Sequence, residues 1–210
     1  MNAVSLDLDG YTDLPDGKVA SVVTYLEMRE RPQRGEGNER SGLTLHRVDV
    51  ADTHWYRSLF RRIGTNWLWF GRLAMLDDEL TAILDNPAVE ILSLIRQGRE
   101  VGLLELDFRD PANVELAYFG LVPEAIGGGI GRWLMDQAIE LVWSRAETRR
   151  FWVHTCTLDA PTALDFYRRS GFQPYKRAIE VTDDPRLVGH LARDAAPQVP
   201  LIEVPSDEVR

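Results

Sequence analysis

The chain reads as an α/β (α+β) protein: a mixed, mostly antiparallel sheet flanked by helices. Three observations carry this. Val89–Ile95, Val101–Phe108 and Val114–Val122 are apolar, β-rich runs separated by turn residues, the pattern of three antiparallel strands in succession. The third run leads through a glycine-rich turn, Gly127–Gly131, into a long amphipathic stretch. Strand, helix and strand then follow at Phe151–Thr157, Thr162–Ser170 and Phe172–Val181. A strand reached through a crossover helix pairs in parallel, so one parallel pairing is expected.

Taken in order, Met1–Pro15 is polar and turn-rich. Lys18–Met28 is β-branched and apolar enough for a strand. Arg29–Ser41 is a charged linker. Leu43–Val50 alternates as a strand. Asp52 or Thr53 caps a helix over His54–Ile63 with a Trp55, Leu59, Ile63 stripe, and Gly64 sits where a C-terminal cap belongs. Trp67-Leu68-Trp69-Phe70 and a helix over Asp77–Leu84 follow. The Arg96–Glu100 loop has a glycine suited to a hairpin, and Asp110–Asn113 makes the next turn. The helix from Gly129 to about Ala146 carries Ile130, Trp133, Leu134, Ala138, Leu141 and Val142 on one face, with Arg145, Arg149 and Arg150 at the negative end of its dipole. Pro161 opens the next helix and Gly171 stops it. Thr182–Arg210 is a Pro- and Asp-rich tail in which Val199–Val204 could pack on the body or on a partner.

Composition narrows the function. The chain has 210 residues, 44% of them hydrophobic, enough for one domain with an extension. A single cysteine, Cys156, excludes an internal disulfide and points to a reducing, cytoplasmic setting. The acidic N-terminus lacks a signal-peptide pattern, and no apolar run reaches membrane-spanning length. The net charge of −9 argues against nucleic acid as the main partner. No metal is called for.

The most informative stretch is Ile126-Gly127-Gly128-Gly129-Ile130-Gly131-Arg132. Glycines let a backbone approach an anion closely, and the following helix offers unpaired N–H groups and a positive dipole end. A Walker loop is excluded because no Gly-Lys-Ser/Thr is present, and G-x-G-x-x-G fails at Leu134. A simple turn without a ligand is the other reading. The segment resembles the acyl-CoA-binding motif of the GCN5-related N-acetyltransferase (GNAT) family, Gln/Arg-x-x-Gly-x-Gly/Ala, with Gly129 and Gly131 at the fixed small positions and Ile126 at the Gln/Arg position. A second match is Ala163, Tyr167, Gly171 and Phe172 in Asn-x-x-Ala-x-x-x-Tyr-x-x-x-Gly-Phe, with Ala160 at the Asn position and Asp159 one residue earlier.

The resemblance covers about Leu43–Val181. It divides the chain into an N-terminal extension (1–42), an acetyltransferase domain (43–182) and a tail (183–210). It implies a GNAT fold with an extra N-terminal strand, acetyl-CoA as acyl donor, and direct attack by an amine, from a small molecule or a peptide, in a ternary complex. It implies cofactor contacts from Leu121, Val122, Ile126–Arg132 and Phe166, with the Leu121 and Val122 N–H groups as oxyanion donors. Tyr167 falls at the general-acid position. Its alternative is a core tyrosine with a solvated hydroxyl. Glu115, an acid in an apolar strand beside the loop, is the candidate base, or else an ion-paired carboxylate beside Arg109. Glu105 and His154 are the next candidates. Cys156 reads as a small buried thiol, with an acyl carrier as the lesser use. Trp67–Phe70 line an acceptor pocket or pack a core. The rival to catalysis is a non-catalytic acyl-CoA-binding module. Lys18–Met28, preceding the first strand of that fold, would then be an addition that serves as an extra edge strand or a dimer contact, and a homodimer would use it or the tail.

Overall fold

The computed structural model describes residues 5–33, 42–50 and 52–203. The strands are β1 (Lys18–Met28), β2 (Leu43–Arg47), β3 (Val89–Arg96), β4 (Arg99–Asp107), β5 (Asn113–Leu121), β6 (Arg150–Cys156) and β7 (Gln173–Asp183). The helices are α1 (Thr53–Gly64), α2 (Asp77–Leu84), α3 (Ile130–Trp143) and α4 (Ala163–Arg169). All strands join one seven-stranded sheet in the order β2-β3-β4-β5-β6-β1-β7. Every neighbouring pair is antiparallel except β5 with β6, which is the expected parallel pairing.

The place of β1 differs from the sequence reading. It is neither an edge strand nor a free dimer contact, because it runs between β6 and β7 and bonds to both. Val23 and Leu26, three residues apart and so on opposite faces of the strand, are 4% and 0% exposed. A strand buried on both faces belongs inside a sheet.

Adjacent β5 residues fix the layers. A side chain at Gly120 would meet Ile63 and Trp69 on the α1 side, while Leu121 faces Gly131 of α3. Helices α1 and α3 therefore cover opposite faces. Asp52 caps α1 by accepting from the His54 N–H at 2.6 Å. Gly64 is not the left-handed cap its position suggested. It is helical, at φ −98°, and Thr65 is the cap. Glycine is needed there because a Cβ would lie 2.3 Å from the Cβ of Trp69. The buried stripe of α3 is Ile130, Leu134, Met135, Ala138, Ile139 and Val142. Trp133 and Leu141 are only half-buried beside it. The helix stops at Trp143, and Arg145 leaves its dipole to lie 3.6 Å over the Phe108 ring and pair with Glu90.

The segment after β7 is folded onto the body. Arg186 and Asp184 are 2% and 3% exposed at their side chains and paired at 2.7 Å. The same guanidinium donates to the carbonyls of Ala195 and Val199 at 3.2 and 2.8 Å. Gln198 donates to the Asn66 carbonyl at 2.6 Å. Val199 packs on the core as its apolar character suggested. Val204, residues 1–4 and the linker residues 34–41 lie outside the described residues.

Candidate active site

Strands β5 and β6 pair only from Asn113–Glu115 to Arg150–Trp152. Beyond that they separate, and a cleft of about 370 Å³ opens between Ala117, Phe119 and Leu121 on one side and His154 and Cys156 on the other. The parting leaves backbone groups of β5 without a strand partner. The Val122 N–H is not among them, because it donates to the Val101 carbonyl at 2.9 Å. In an antiparallel ladder, bonded and non-bonded residues alternate. The bond at Val122 therefore turns Leu121, and Phe119 two residues before, towards β6 and the gap. Of the two expected oxyanion donors, Leu121 faces the gap and Val122 is engaged.

At the end of the gap, Gly127, Gly128 and Gly129 take φ of 108°, 53° and 78°. These left-handed values favour glycine. A Cβ at Gly127 or Gly128 would meet nothing, so both face open space. The Ile130 N–H closes on the Gly127 carbonyl at 3.2 Å, which removes Ile130 from the expected donors. Among the described residues no backbone carbonyl accepts from Gly128, Gly129, Gly131 or Arg132. Free N–H groups at a helix start are suited to an anion. Ile126 is 64% exposed beside it. A second groove, of about 400 Å³, runs past Gly127 and Gly128 to Gly42 and Arg96. Arg96 forms no ion pair among the described residues.

Tyr167 lines the cleft on the α4 side and is 8% exposed. Its ring lies against Phe119, Phe166 and Phe172. Burial, and then the Asp159 charge, hold its hydroxyl far above the ordinary tyrosine range, so it keeps its proton. Phe166 stacks on Phe119 at 5.5 Å. Gly131 leaves just room between Leu121 and Phe166, 3.7 and 3.9 Å from where its Cβ would be.

Asp159, one residue before the Asn position of the motif, joins two segments beside the cleft. It accepts from the Thr155 hydroxyl at 2.6 Å and the Cys156 N–H at 3.0 Å, and from the Trp69 indole at 3.0 Å. It thereby ties the Trp67–Phe70 loop to the end of β6. Burial raises the Cys156 thiol, which leaves little thiolate.

Glu115 does not line the cleft. Its carboxylate lies 3.6 Å from Nδ1 of His154, which does. That neighbour raises the His154 pKa above its ordinary value. The expected Arg109 partner is held instead by Asp107. Glu105 is 0% exposed, bonded to Arg72 at 2.5 Å and to the Tyr56 hydroxyl, and takes no place in the cleft. Glu180 of β7 lines the cleft and was not singled out by sequence. Its signal was invisible because it depends on β1 and β7 being neighbours, with Ser21 directly opposite. Among the described residues no cluster of His, Cys, Asp and Glu could hold a metal ion.

The model of the "Acetyltransferase (GNAT) family" matches residues 53–172, more than half of the chain. The chain belongs to the GNAT family. This membership supports acyl transfer to an amine. GNAT structures share the fold. A GCN5-related N-acetyltransferase from Sphaerobacter thermophilus is 13% identical with a TM-score of 0.56, over 78% of this chain and 52% of that one. The chain thus spans about half the length of that protein. A GNAT-family putative acetyltransferase from Novosphingobium aromaticivorans is 15% identical at TM-score 0.54, covering 81% of this chain and 68% of that one. An aminoglycoside acetyltransferase from an uncultured soil metagenomic sample is 17% identical at TM-score 0.50, covering 61% and 87%. No curated protein matches the sequence significantly. Among the described residues no helix is long and apolar enough to cross a membrane.

Proposed function

We propose that this GNAT protein moves an acetyl group from acetyl-CoA to an amine by direct attack in a ternary complex. The observation that carries the reading is the gap between β5 and β6, which runs from the glycine cradle to Tyr167 and His154. A reducing cytoplasmic setting fits the lone free thiol of Cys156.

Acetyl-CoA supplies an activated acyl group and a thiolate leaving group. The residues suit it. The free N–H groups of Gly128, Gly129, Gly131 and Arg132 hold phosphate oxygens. Arg96, across the groove, supplies the cation that Ile126 does not. Phe166 and Leu121 bound the narrow passage beside Gly131. The Leu121 N–H donates to the thioester oxygen as charge builds there.

His154 accepts the proton of the incoming ammonium, and Glu115 orients its imidazole and raises its basicity. Glu115 thus acts through His154 as a positioning residue. Tyr167 donates its proton to the departing sulfur. Burial makes the tyrosine a weaker acid, but the same dry surroundings disfavour a thiolate, so donor and acceptor stay matched.

The test is a melting curve with and without acetyl-CoA, followed by an amine screen that reads released thiol. At about 100 times its Kd a ligand adds roughly 2.7 kcal/mol, which for this size raises Tm by roughly 5–10 °C. No shift at millimolar acetyl-CoA would sink the cofactor assignment. A shift without thiol release from any amine would favour a non-catalytic acyl-CoA-binding module.

A further inference from the structure

The walls of the cleft narrow the kind of amine it accepts. We propose that the acceptor is a compact primary amine carried on an aromatic body, with its ammonium drawn to Glu180. This rests on the acetyl-transfer reading above and names the substrate class of the same site.

The acceptor end is walled by Trp67, Trp69, Phe70 and Tyr118. The wall is stiff. Trp69 and Tyr118 have ring centroids 5.4 Å apart, and Phe60 backs both at 5.3 and 4.8 Å. Leu68, between the two tryptophans, sits in the left-handed region at φ 52°, a strain of the kind held where a site must keep its shape. The wall is also uncharged. The Trp69 indole N–H is committed to Asp159. Burial pushes the Tyr118 hydroxyl up to about 12, so it stays neutral. Such a surface suits an aromatic ring, which gains from offset and edge contacts.

One carboxylate in the cleft is uncommitted. Both Asp159 oxygens are occupied by its three donors. Glu115 is engaged with His154 and does not line the cleft. Glu180 has no ion pair among the described residues. The small Ser21 stands opposite it, leaving its side chain room to lie over β1. A single free carboxylate beside an aromatic wall fits one ammonium. A multiply charged, polyhydroxylated amine needs more polar partners than this. The cleft, about 370 Å³, also has to hold the thioester end, which limits the acceptor to a compact body.

In the transfer the N–C bond forms and the C–S bond breaks. The ammonium first gives one proton to His154, which passes it to solvent; after attack the nitrogen loses a second proton, which returns to Tyr167 in place of the one Tyr167 gives to the sulfur. The product amide is uncharged, so it loses its attraction to Glu180 and leaves.

The experiment compares kcat/KM for 2-phenylethylamine, kanamycin and a short lysine peptide on the full chain, reading free thiol with saturating acetyl-CoA. We expect 2-phenylethylamine to exceed the other two by at least about tenfold. Glu180→Gln, at an exposed position, should raise its KM about tenfold while kcat and the acetyl-CoA KM stay within about twofold. Preference for kanamycin or the peptide overturns the proposal, as does an unchanged KM in Glu180→Gln. Both leave the acetyl-transfer reading intact, whereas absence of thiol release from every amine overturns the two together.

Discussion

At the residue scale the proposed chemistry rests on two groups whose surroundings move their pKa values the same way. His154 is raised first by the adjacent Glu115 carboxylate, with Asp159 and Glu180 adding to it. As a base it must be neutral, so kcat/KM should rise with pH through an inflection above the ordinary histidine value of about 6.5. Glu115→Gln should move that inflection down towards about 6.5, and a pH profile unmoved by the substitution would remove the pair from the mechanism. Tyr167, held protonated by burial and by Asp159, should give no alkaline loss near pH ~10, where an ordinary tyrosine ionises. Tyr167→Phe should lower kcat by ~10²-fold or more with acetyl-CoA affinity unchanged, measured by thiol release and a thermal shift. Unchanged turnover would assign Tyr167 to packing alone. The histidine was visible in the sequence only as one of three bases. Its pairing with Glu115 joins residues of β5 and β6, a proximity that strand alternation alone does not reveal.

At the scale of elements, local pattern and local structure agree closely. Lys18–Met28 and Asp77–Leu84 are strand and helix as read, because period and turn residues act within a few positions. Gly64 is the instructive exception. Its place after the α1 stripe suggests a cap, yet the demand for glycine comes from Trp69 packed against it. The glycine loop is half legible in the same sense. Its free N–H groups follow from sequence, whereas the groove that brings Arg96 from the β3–β4 turn to Gly127 and Gly128 does not. Arg96→Ala should weaken acetyl-CoA binding about tenfold while binding of S-acetylpantetheine, which lacks the nucleotide phosphates, stays the same. Equal losses for both ligands in calorimetry would assign Arg96 to the shape of the groove.

At the scale of the molecule, the ends of the chain complete the sheet and brace the cleft. β1 fills the space between β6 and β7, and the segment after β7 closes on Arg186, whose guanidinium binds Asp184 and three main-chain carbonyls. Removing one partner of a buried ion pair leaves the other charge uncompensated, at about 3–5 kcal/mol. Arg186→Ala should therefore lower Tm by roughly 6–20 °C. A fall of under about 2 °C in calorimetry would mean that the segment contributes little to stability. Because Gln198 holds Asn66, the same variant loosens the loop that carries Trp67 and Trp69.

The amino-acid sequence by itself determined the elements, the glycine cradle, the Tyr167 motif and the family. Each is written in short-range spacing: alternation on strands, stripes on helices, and small residues where the backbone must turn. Tertiary structure alone decided that β1 lies inside the sheet, that Val122 is engaged while Leu121 faces the gap, that Glu115 lies beside His154, and that Glu180 enters the cleft. Those outcomes depend on which strands become neighbours. Strand partners are chosen by burial summed over the whole sheet, and an eleven-residue apolar strand such as β1 carries no local mark of the two strands it will join.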